Sequence, residues 1–357
     1  MLSEDLIVLI SGFVSNNKLK FLNGNLHKNI EIYNKSNEWK QKYTNYFSQN
    51  NLPFLLLSGD YVWKKEYVRI VVYDQWQNIV SKGLKKMIVL KYKKIPVLDN
   101  FKDNLKELDI SELSLKELPK EICNLKKLQK LNISYNELTR LPAEFKNMTG
   151  LKYLDASNNK FSELPKVLNN LKNIHDLNFC FNKISKISRM DGLKVSYLNL
   201  AHNKLTIIPK SIYDMTQLLE LDISDNNITK ISENISKLIE LKNLYALRNN
   251  ISKLPERINE LTNLKLLYIS ENNISKFPKT FSELYNLKRL VVAENKIKKI
   301  PTNFENLKSL KTLNIWHNEI NKIPKCLNKL VKLKQLTMSR NVFVPGVFRK
   351  NKNLYIT

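Results

Sequence analysis

Residues 128–150 read LQKLNISYNELTRLPAEFKNMTG, and this stretch decides the fold. Its apolar residues occupy positions 1, 4, 6, 11, 14, 18 and 21 of a 23-residue unit, with Asn136 at position 9 and Pro142 at position 15. Positions 4 and 6 alternate with polar neighbours, which is the period of a short strand with one buried side. Such a strand cannot bury its apolar side alone, so the stretch predicts a stack of similar units.

The spacing is repeated along most of the chain. Eleven consecutive units keep it, and only the unit from Ile174 departs from 23 residues, having 21. A fixed period of this length indicates a solenoid, in which each unit packs on its neighbours and all share one core. The units begin at Leu105, Leu128, Leu151, Ile174, Val195, Leu218, Leu241, Leu264, Leu287, Leu310 and Leu333.

An asparagine recurs at position 9, where the chain must turn inward after the strand. The turn leaves backbone groups without partners, and a buried amide can both donate to and accept from them. We therefore expect a structural ladder rather than a ligand site. Its members are Asn136, Asn159, Asn182, Asn203, Asn226, Asn249, Asn272, Asn295, Asn318 and Asn341.

A proline follows position 14 in eight units, where it should end strand pairing and begin the convex segment. Apolar pairs three residues apart follow, for example Ile258 with Leu261, and predict short helical turns. The prolines are Pro119, Pro142, Pro165, Pro209, Pro255, Pro278, Pro301 and Pro324.

The pattern L-x-x-L-x-L-x-x-N-x-L-x-x-L-P resembles the intracellular 23-residue type of leucine-rich repeat. The resemblance implies an α/β fold, a curved horseshoe with a parallel β-sheet on its concave face, over residues 84–357. Leu84, Met87 and Val89 suggest a degenerate strand before the first unit. The end units depart from the pattern, as capping units should: Leu113 replaces the first Asn, and Pro345–Gly346 stands in the last unit.

In the resembling family, specificity is carried by the concave side, which positions 3, 5 and 8 should face; position 7 should point there too, but is often small. Large aromatic and apolar groups there are candidates for contact with a client protein, although surface aromatics also occur by chance. An acidic stretch, Asp155, Asp176, Glu220, Asp222 and Asp225, would orient a basic partner. The candidate contacts are Tyr153, Phe181, Tyr197, Asp222, Tyr245, Leu247, Leu266, Tyr268, Val291, Trp316 and His317.

The N-terminal segment, residues 1–48, has no repeat period and resembles an F-box in its helix-like start and its W-K-x-x-Y end at residues 39–43. The resemblance implies docking of a Skp1-type adaptor of a cullin ubiquitin ligase. Ser3 stands where Pro is usual, so a helical cap over the end of the solenoid remains the alternative. Residues 49–83 would connect it to the repeats. The adaptor-docking candidates are Leu2, Leu6, Ile7, Ile10 and Trp39.

The net charge of +26 raises the question of an anionic partner. Only eight of the 59 basic residues are Arg, which is favoured for bidentate phosphate and base contacts. We therefore expect neither nucleic acid nor membrane as the main partner, but two Lys-rich columns on the flanks leave that alternative open. They are Lys106, Lys152, Lys242, Lys265, Lys288, Lys311 and Lys334 at position 2, and Arg140, Lys186, Lys230, Lys253, Lys276, Lys299 and Lys322 at position 13.

No catalytic motif is present, and no cofactor or metal is expected. The seven glycines form no phosphate loop, and the four histidines have no metal-ligand spacing. Three dispersed cysteines indicate a reducing compartment, and we expect a cytoplasmic location. Together the patterns predict a non-enzymatic adaptor that binds a client protein on its concave face. The F-box resemblance implies that it serves a ubiquitin ligase, and a plain signalling scaffold is the alternative.

Overall fold

The chain folds as a stack of parallel strands. The computed structural model describes residues 86–88, 105–190, 193–339, 345 and 354–356, and these contain one sheet of 13 strands in sequence order. Strands β1 to β13 are Lys86–Ile88, Glu107–Asp109, Lys130–Asn132, Tyr153–Asp155, Asp176–Asn178, Tyr197–Asn199, Glu220–Asp222, Asn243–Tyr245, Leu266–Tyr268, Arg289–Val291, Thr312–Asn314, Gln335–Thr337 and Tyr355–Ile356.

Each of the eleven predicted units supplies one strand, β2 to β12, and the strands pair with equivalent positions side by side. Leu131, for instance, lies between Leu108 and Leu154, all at position 4. Strand β1 places Met87 beside Leu108, which confirms the predicted strand before the first unit at that residue; Leu84 and Val89 lie outside the described residues. Strand β13 was not predicted, because Ile356 pairs with Leu336 at a separation of 20 residues rather than 23.

The opposite side of the stack consists of single helical turns, as predicted. Eight of them begin directly after the recurring proline, whose carbonyl accepts the N–H three residues on, as from Phe145 to Pro142 at 3.0 Å. Within the described residues they are 3-10 helices at Lys120–Asn124, Ala143–Asn147, Lys166–Asn170, Glu233–Lys237, Glu256–Glu260, Lys279–Glu283, Thr302–Asn306 and Lys325–Lys329, and an α-helical turn at Lys210–Tyr213.

The core lies between the sheet and these turns. It is filled by positions 1, 4, 6, 11, 14, 18 and 21, nearly all of them buried Leu, Ile or Phe. Phe281 and Phe304 stack at 5.6 Å between ring centroids, with Phe277 packed on both. The other side of the sheet carries positions 3 and 5 of every unit, turned away from the core; we call it the concave face.

The predicted asparagine ladder is present and joins consecutive units. The Oδ1 atom of Asn159 accepts the N–H of Leu138 in the preceding unit at 2.9 Å. Its Nδ2 atom donates to the carbonyl of Ile133 in that unit and to those of Ala156 and Ser157 in its own. Asn136 to Asn318 repeat this pattern, all buried except Asn318, which is partly buried. Asn341 lies outside the described residues.

Position 8 adopts a left-handed backbone in every described unit that includes it. The ten residues concerned, from Glu112 to His317, have φ between 47° and 56°, and none is glycine. A side chain in this conformation costs roughly 1–2 kcal/mol. The conformation turns the chain toward the buried Asn at position 9, whose hydrogen bonds offset that cost.

The ladder predicts a large effect of one amide. We expect Asn226→Ala to lower the free energy of unfolding by about 3 kcal/mol, because buried backbone groups lose their partners. Asn227 is exposed, so Asn227→Ala is the matched control and should change it by less than about 0.5 kcal/mol. Urea denaturation followed by circular dichroism measures both, and equal midpoints would contradict the structural role.

Position 8 can be tested at Glu294, which is exposed and has a φ of 53°. Glu294→Val should be less stable than Glu294→Gly by roughly 1–2 kcal/mol, because a β-branched residue is strained in the left-handed region and glycine is not. Chemical denaturation of the two variants gives the difference. If Val is as stable as Gly, the left-handed turn is not maintained in solution.

Candidate functional site

The concave face is organised as columns of side chains that run across the strands. Because the strands pair in register, the same position of successive units recurs about every 4.8 Å. The column at position 5 places Asp222 beside Tyr245, then Tyr268, then Val291. Several of the predicted contact residues are therefore direct neighbours on one surface.

Four of the predicted residues form a cluster over strands β8 to β10. The rings of Tyr245 and Tyr268 stack with centroids 5.3 Å apart and planes 12° from parallel. Val291 follows Tyr268 in the position-5 column. Leu266 lies two residues before Tyr268 on the same strand and on the same face. All four side chains are half-buried, and we call them the aromatic patch.

The scaffold usually places a different kind of residue at position 5. In seven units an Asp or Asn there accepts the backbone N–H of position 7, a short turn that closes the end of the strand. Sequence reasoning missed this role, which Asp155 and Asp222 also have. The seven are Asp109, Asn132, Asp155, Asn178, Asn199, Asp222 and Asn314.

The aromatic patch replaces this bond in three consecutive units. Tyr245, Tyr268 and Val291 stand where the Asp or Asn would be, and a valine side chain cannot accept a hydrogen bond. In the first of these units the Oγ of Ser224, from the neighbouring unit, accepts the N–H of Leu247 at 3.2 Å instead. These three units therefore lack the turn bond that position 5 makes in seven others.

Position 7 differs from the prediction that it faces the concave side. Its small residues are buried in most units, for example Ser157 and Ala201, because the chain is already turning inward toward the ladder. Leu247 is half-buried, whereas Trp316 is 43% exposed. Trp316 contacts His317 edge to face at 4.5 Å between ring centroids, so it is the predicted position-7 contact that is open to a partner.

An acidic hollow of about 300 Å³ lies over strands β4 to β7, next to the aromatic patch. Its side chains at positions 3 and 5 include Tyr153, Asp176, Tyr197, Glu220 and Asp222. The first four alternate along the position-3 column, because Asp176 pairs with Tyr153 on one side and Tyr197 on the other, and Tyr197 pairs with Glu220. The hollow is therefore lined by alternating aromatic rings and carboxylates.

The carboxylates of the hollow are not neutralised within the described part of the chain. Asp176, Glu220 and Asp222 have no Lys or Arg side chain within ion-pair distance there. Burial raises the pKa of Asp176 and of Asp222 above their ordinary value. The Oδ1 atom of Asp176 is buried and accepts no hydrogen bond.

Asp225 does not belong to this free acidic surface, contrary to the prediction. It lies in the position-8 column, where the Nη2 atom of Arg248 donates to its Oδ2 at 2.9 Å. His202 Nε2 lies 3.3 Å from the same oxygen and stacks on Phe181 at 3.9 Å between ring centroids. A comparison of position 8 across successive units would have predicted these contacts, because the residues lie next to one another in that column.

Cys180, which lies one unit before His202, is not an activated nucleophile. Burial raises the pKa of its thiol to about 11, so the thiol is protonated at neutral pH.

The adaptor-docking candidates Leu2, Leu6, Ile7, Ile10 and Trp39 lie outside the described residues. Within the described ranges, no helix is long and apolar enough to cross a membrane.

Comparisons with known proteins agree with the repeat pattern. The family model described as a leucine-rich repeat region matches residues 98–189 and 230–339, and a second, described as a leucine rich repeat, matches 194–215 and 217–238. No curated protein sequence matches the chain. A solved structure of a leucine-rich-repeat protein of Leptospira interrogans is similar, with a TM-score of 0.72 and 32% identity over 77% of this chain and 72% of that one.

Two more distant structures share the fold. An internalin of Listeria monocytogenes has a TM-score of 0.63 and 21% identity, over 78% of this chain and 88% of that one. TLR13 in its complex with ssRNA13 has a TM-score of 0.61 and 24% identity, over 72% of this chain and 44% of that one. At these identities the likeness concerns the fold alone.

The uncompensated carboxylates predict a pH-dependent gain from neutralising Asp222. Its folded-state pKa is raised, so the charged form destabilises the fold, fully above that pKa and not at all below the unfolded value of 3.8. Asp222→Asn keeps the turn bond to Ser224, which Asn makes elsewhere at position 5. Its melting temperature should exceed that of the wild type at pH 7, and the gap should close below about pH 4.

Asn199→Asp provides the reverse control, because it adds a charge to the same column and should lower the melting temperature at pH 7. Melting curves between pH 3 and pH 8 test both variants. A melting temperature of Asp222→Asn that is below that of the wild type at pH 7 would contradict the account of the hollow.

Proposed function

The chain belongs to the leucine-rich-repeat family, and on that premise we propose that it is a protein-binding scaffold whose concave face holds a client protein. Members of this family generally mediate protein–protein interaction, and the fold is typically non-enzymatic. The observation that carries the proposal is the aromatic patch, where three consecutive units replace a structural Asp or Asn by Tyr245, Tyr268 and Val291.

The composition of the patch suits a protein interface. Stacked tyrosines offer a large, rigid apolar surface with hydroxyl groups at its edge, and such residues dominate binding energy at interfaces. Trp316, one unit beyond Val291, adds an exposed ring. A partner gains affinity by covering the part of these side chains that the fold leaves exposed.

The scaffold also fixes the patch in space. Each side chain of the patch is held by a strand whose backbone is bonded to strands on both sides, in a sheet that runs through 13 strands among the described residues. Little conformational freedom is therefore lost when a partner binds, and this preorganisation favours affinity.

A link to a ubiquitin ligase would extend this function. It depends on the F-box-like residues 1–48, which lie outside the described residues, so adaptor docking stays a prediction from the sequence. Without that link the same concave face serves a plain signalling scaffold. Binding of an anionic surface through the Lys-rich flanks would instead fall steeply with salt and would not depend on the patch.

The patch predicts which substitutions abolish client binding. Affinity capture from a cell extract with the purified full chain should retain a partner that is lost, by at least tenfold in amount, with Tyr245→Ala/Tyr268→Ala/Trp316→Ala. The reason is that truncating central aromatic anchors typically costs about 2 kcal/mol or more each.

The matched control removes three exposed apolar side chains from outside the concave face, Ile239→Ala/Tyr285→Ala/Val331→Ala. It should retain the partner at the wild-type level. If Tyr245→Ala/Tyr268→Ala/Trp316→Ala keeps every partner, or if this variant and the control lose the same partners, binding does not depend on the concave face and the proposal is wrong.

A further inference from the structure

We propose that the acidic hollow receives a Lys or Arg side chain from an extended basic segment of the client, while the aromatic patch covers an apolar side chain of the same segment. This inference rests on the proposed function, because it assigns the chemistry of the client that the concave face holds. It also sets the direction in which the segment lies across the sheet.

The shape and walls of the hollow match a cationic side chain. Tyr153 and Tyr197 stand on either side of Asp176, and Glu220 and Asp222 line the same hollow. A cation held between aromatic faces and carboxylates is stabilised by both. About 300 Å³ is at the lower end of the range for ligand pockets, which suits one long side chain.

The hollow is lined by acidic side chains, whereas the whole chain has a net positive charge. The chain carries 59 basic residues and a net charge of +26, yet none of those in the described ranges neutralises Asp176, Glu220 or Asp222. The buried, unpartnered Oδ1 of Asp176 makes the missing charge costly. A cation supplied by a partner would compensate a deficit that the fold itself leaves.

The neighbouring patch makes the occupant a polypeptide segment. Asp222 and Tyr245 are paired residues on adjacent strands, so the hollow and the patch form one continuous surface. From the centre of the hollow, between β5 and β6, to Tyr268 on β9 is three to four strand spacings, or roughly 15–19 Å. An extended chain covers that distance in about five residues, so the basic and the apolar side chain should be about five residues apart.

The test is selection of binding peptides from a displayed library of random 12-residue sequences on the purified full chain. Wild type is compared with Asp176→Asn/Glu220→Gln/Asp222→Asn. These changes keep the side-chain shapes, the Glu220 bond from Asn243 and the Asp222 bond from Ser224. The matched control neutralises three exposed carboxylates off the concave face, Glu121→Gln/Glu240→Gln/Glu283→Gln.

Peptides selected on the wild type should be enriched in Lys or Arg, with a large apolar residue about five positions away. A synthetic peptide from this pool should bind the hollow variant at least tenfold more weakly, and the control variant within twofold of wild type. A protein of net charge +26 binding by bulk attraction would select acidic peptides instead, and that result, or the absence of any enrichment, overturns the inference.

The aromatic variant Tyr245→Ala/Tyr268→Ala/Trp316→Ala separates the two proposals. If selected peptides lose affinity for the aromatic variant but bind the hollow variant as well as wild type, the hollow is wrong as a cation site and concave-face binding stands. If they bind both variants like wild type, both proposals fail.

Discussion

The buried asparagine amide at position 9 is the constraint on which the rest of the structure depends. Its Oδ1 accepts an N–H of the preceding unit, and its Nδ2 donates to carbonyls of both units, as for Asn226 with Leu205 and Leu200. No apolar residue could satisfy these groups, and water has no access to them. The amide therefore holds the inward turn and sets each strand in register with the next.

That register converts a one-dimensional repeat into a functional surface. Positions 4 and 6 are buried in the core and position 9 forms the ladder, whereas positions 3 and 5 face the concave side. In seven units an Asp or Asn at position 5 accepts a backbone N–H and closes the turn after the strand. Tyr245, Tyr268 and Val291 stand at the same position in three other units, which lack this bond. The acidic hollow adjoins this change, because Asp222 pairs with Tyr245, so the hollow and the aromatic patch form a continuous surface.

Most of the fold could be predicted from the repeat period. The recurring Leu residues mark the core, the recurring Asn marks the ladder, and the recurring Pro marks the start of each helical turn. Met87 was placed correctly on this basis, whereas Ile356 was not, since its unit is three residues short. At the site, the neighbourhood of Tyr245 and Tyr268 followed from the register. The neutralisation of Asp225 by Arg248 was not predicted, because it joins position 8 of two successive units and is visible only when that column is compared across units.

The most direct test of the ladder is native-state hydrogen exchange of the backbone amides at position 11, which donate to the Asn side chains. Those of Leu138, Leu205 and Ile251 should exchange as slowly as amides inside the sheet, because each is buried and bonded to an Oδ1 atom at 2.9 Å. Exchange at the rate of exposed loop amides along this row would contradict the account. The units would then not be joined by a continuous row of buried amides, and the concave face would lose its common frame.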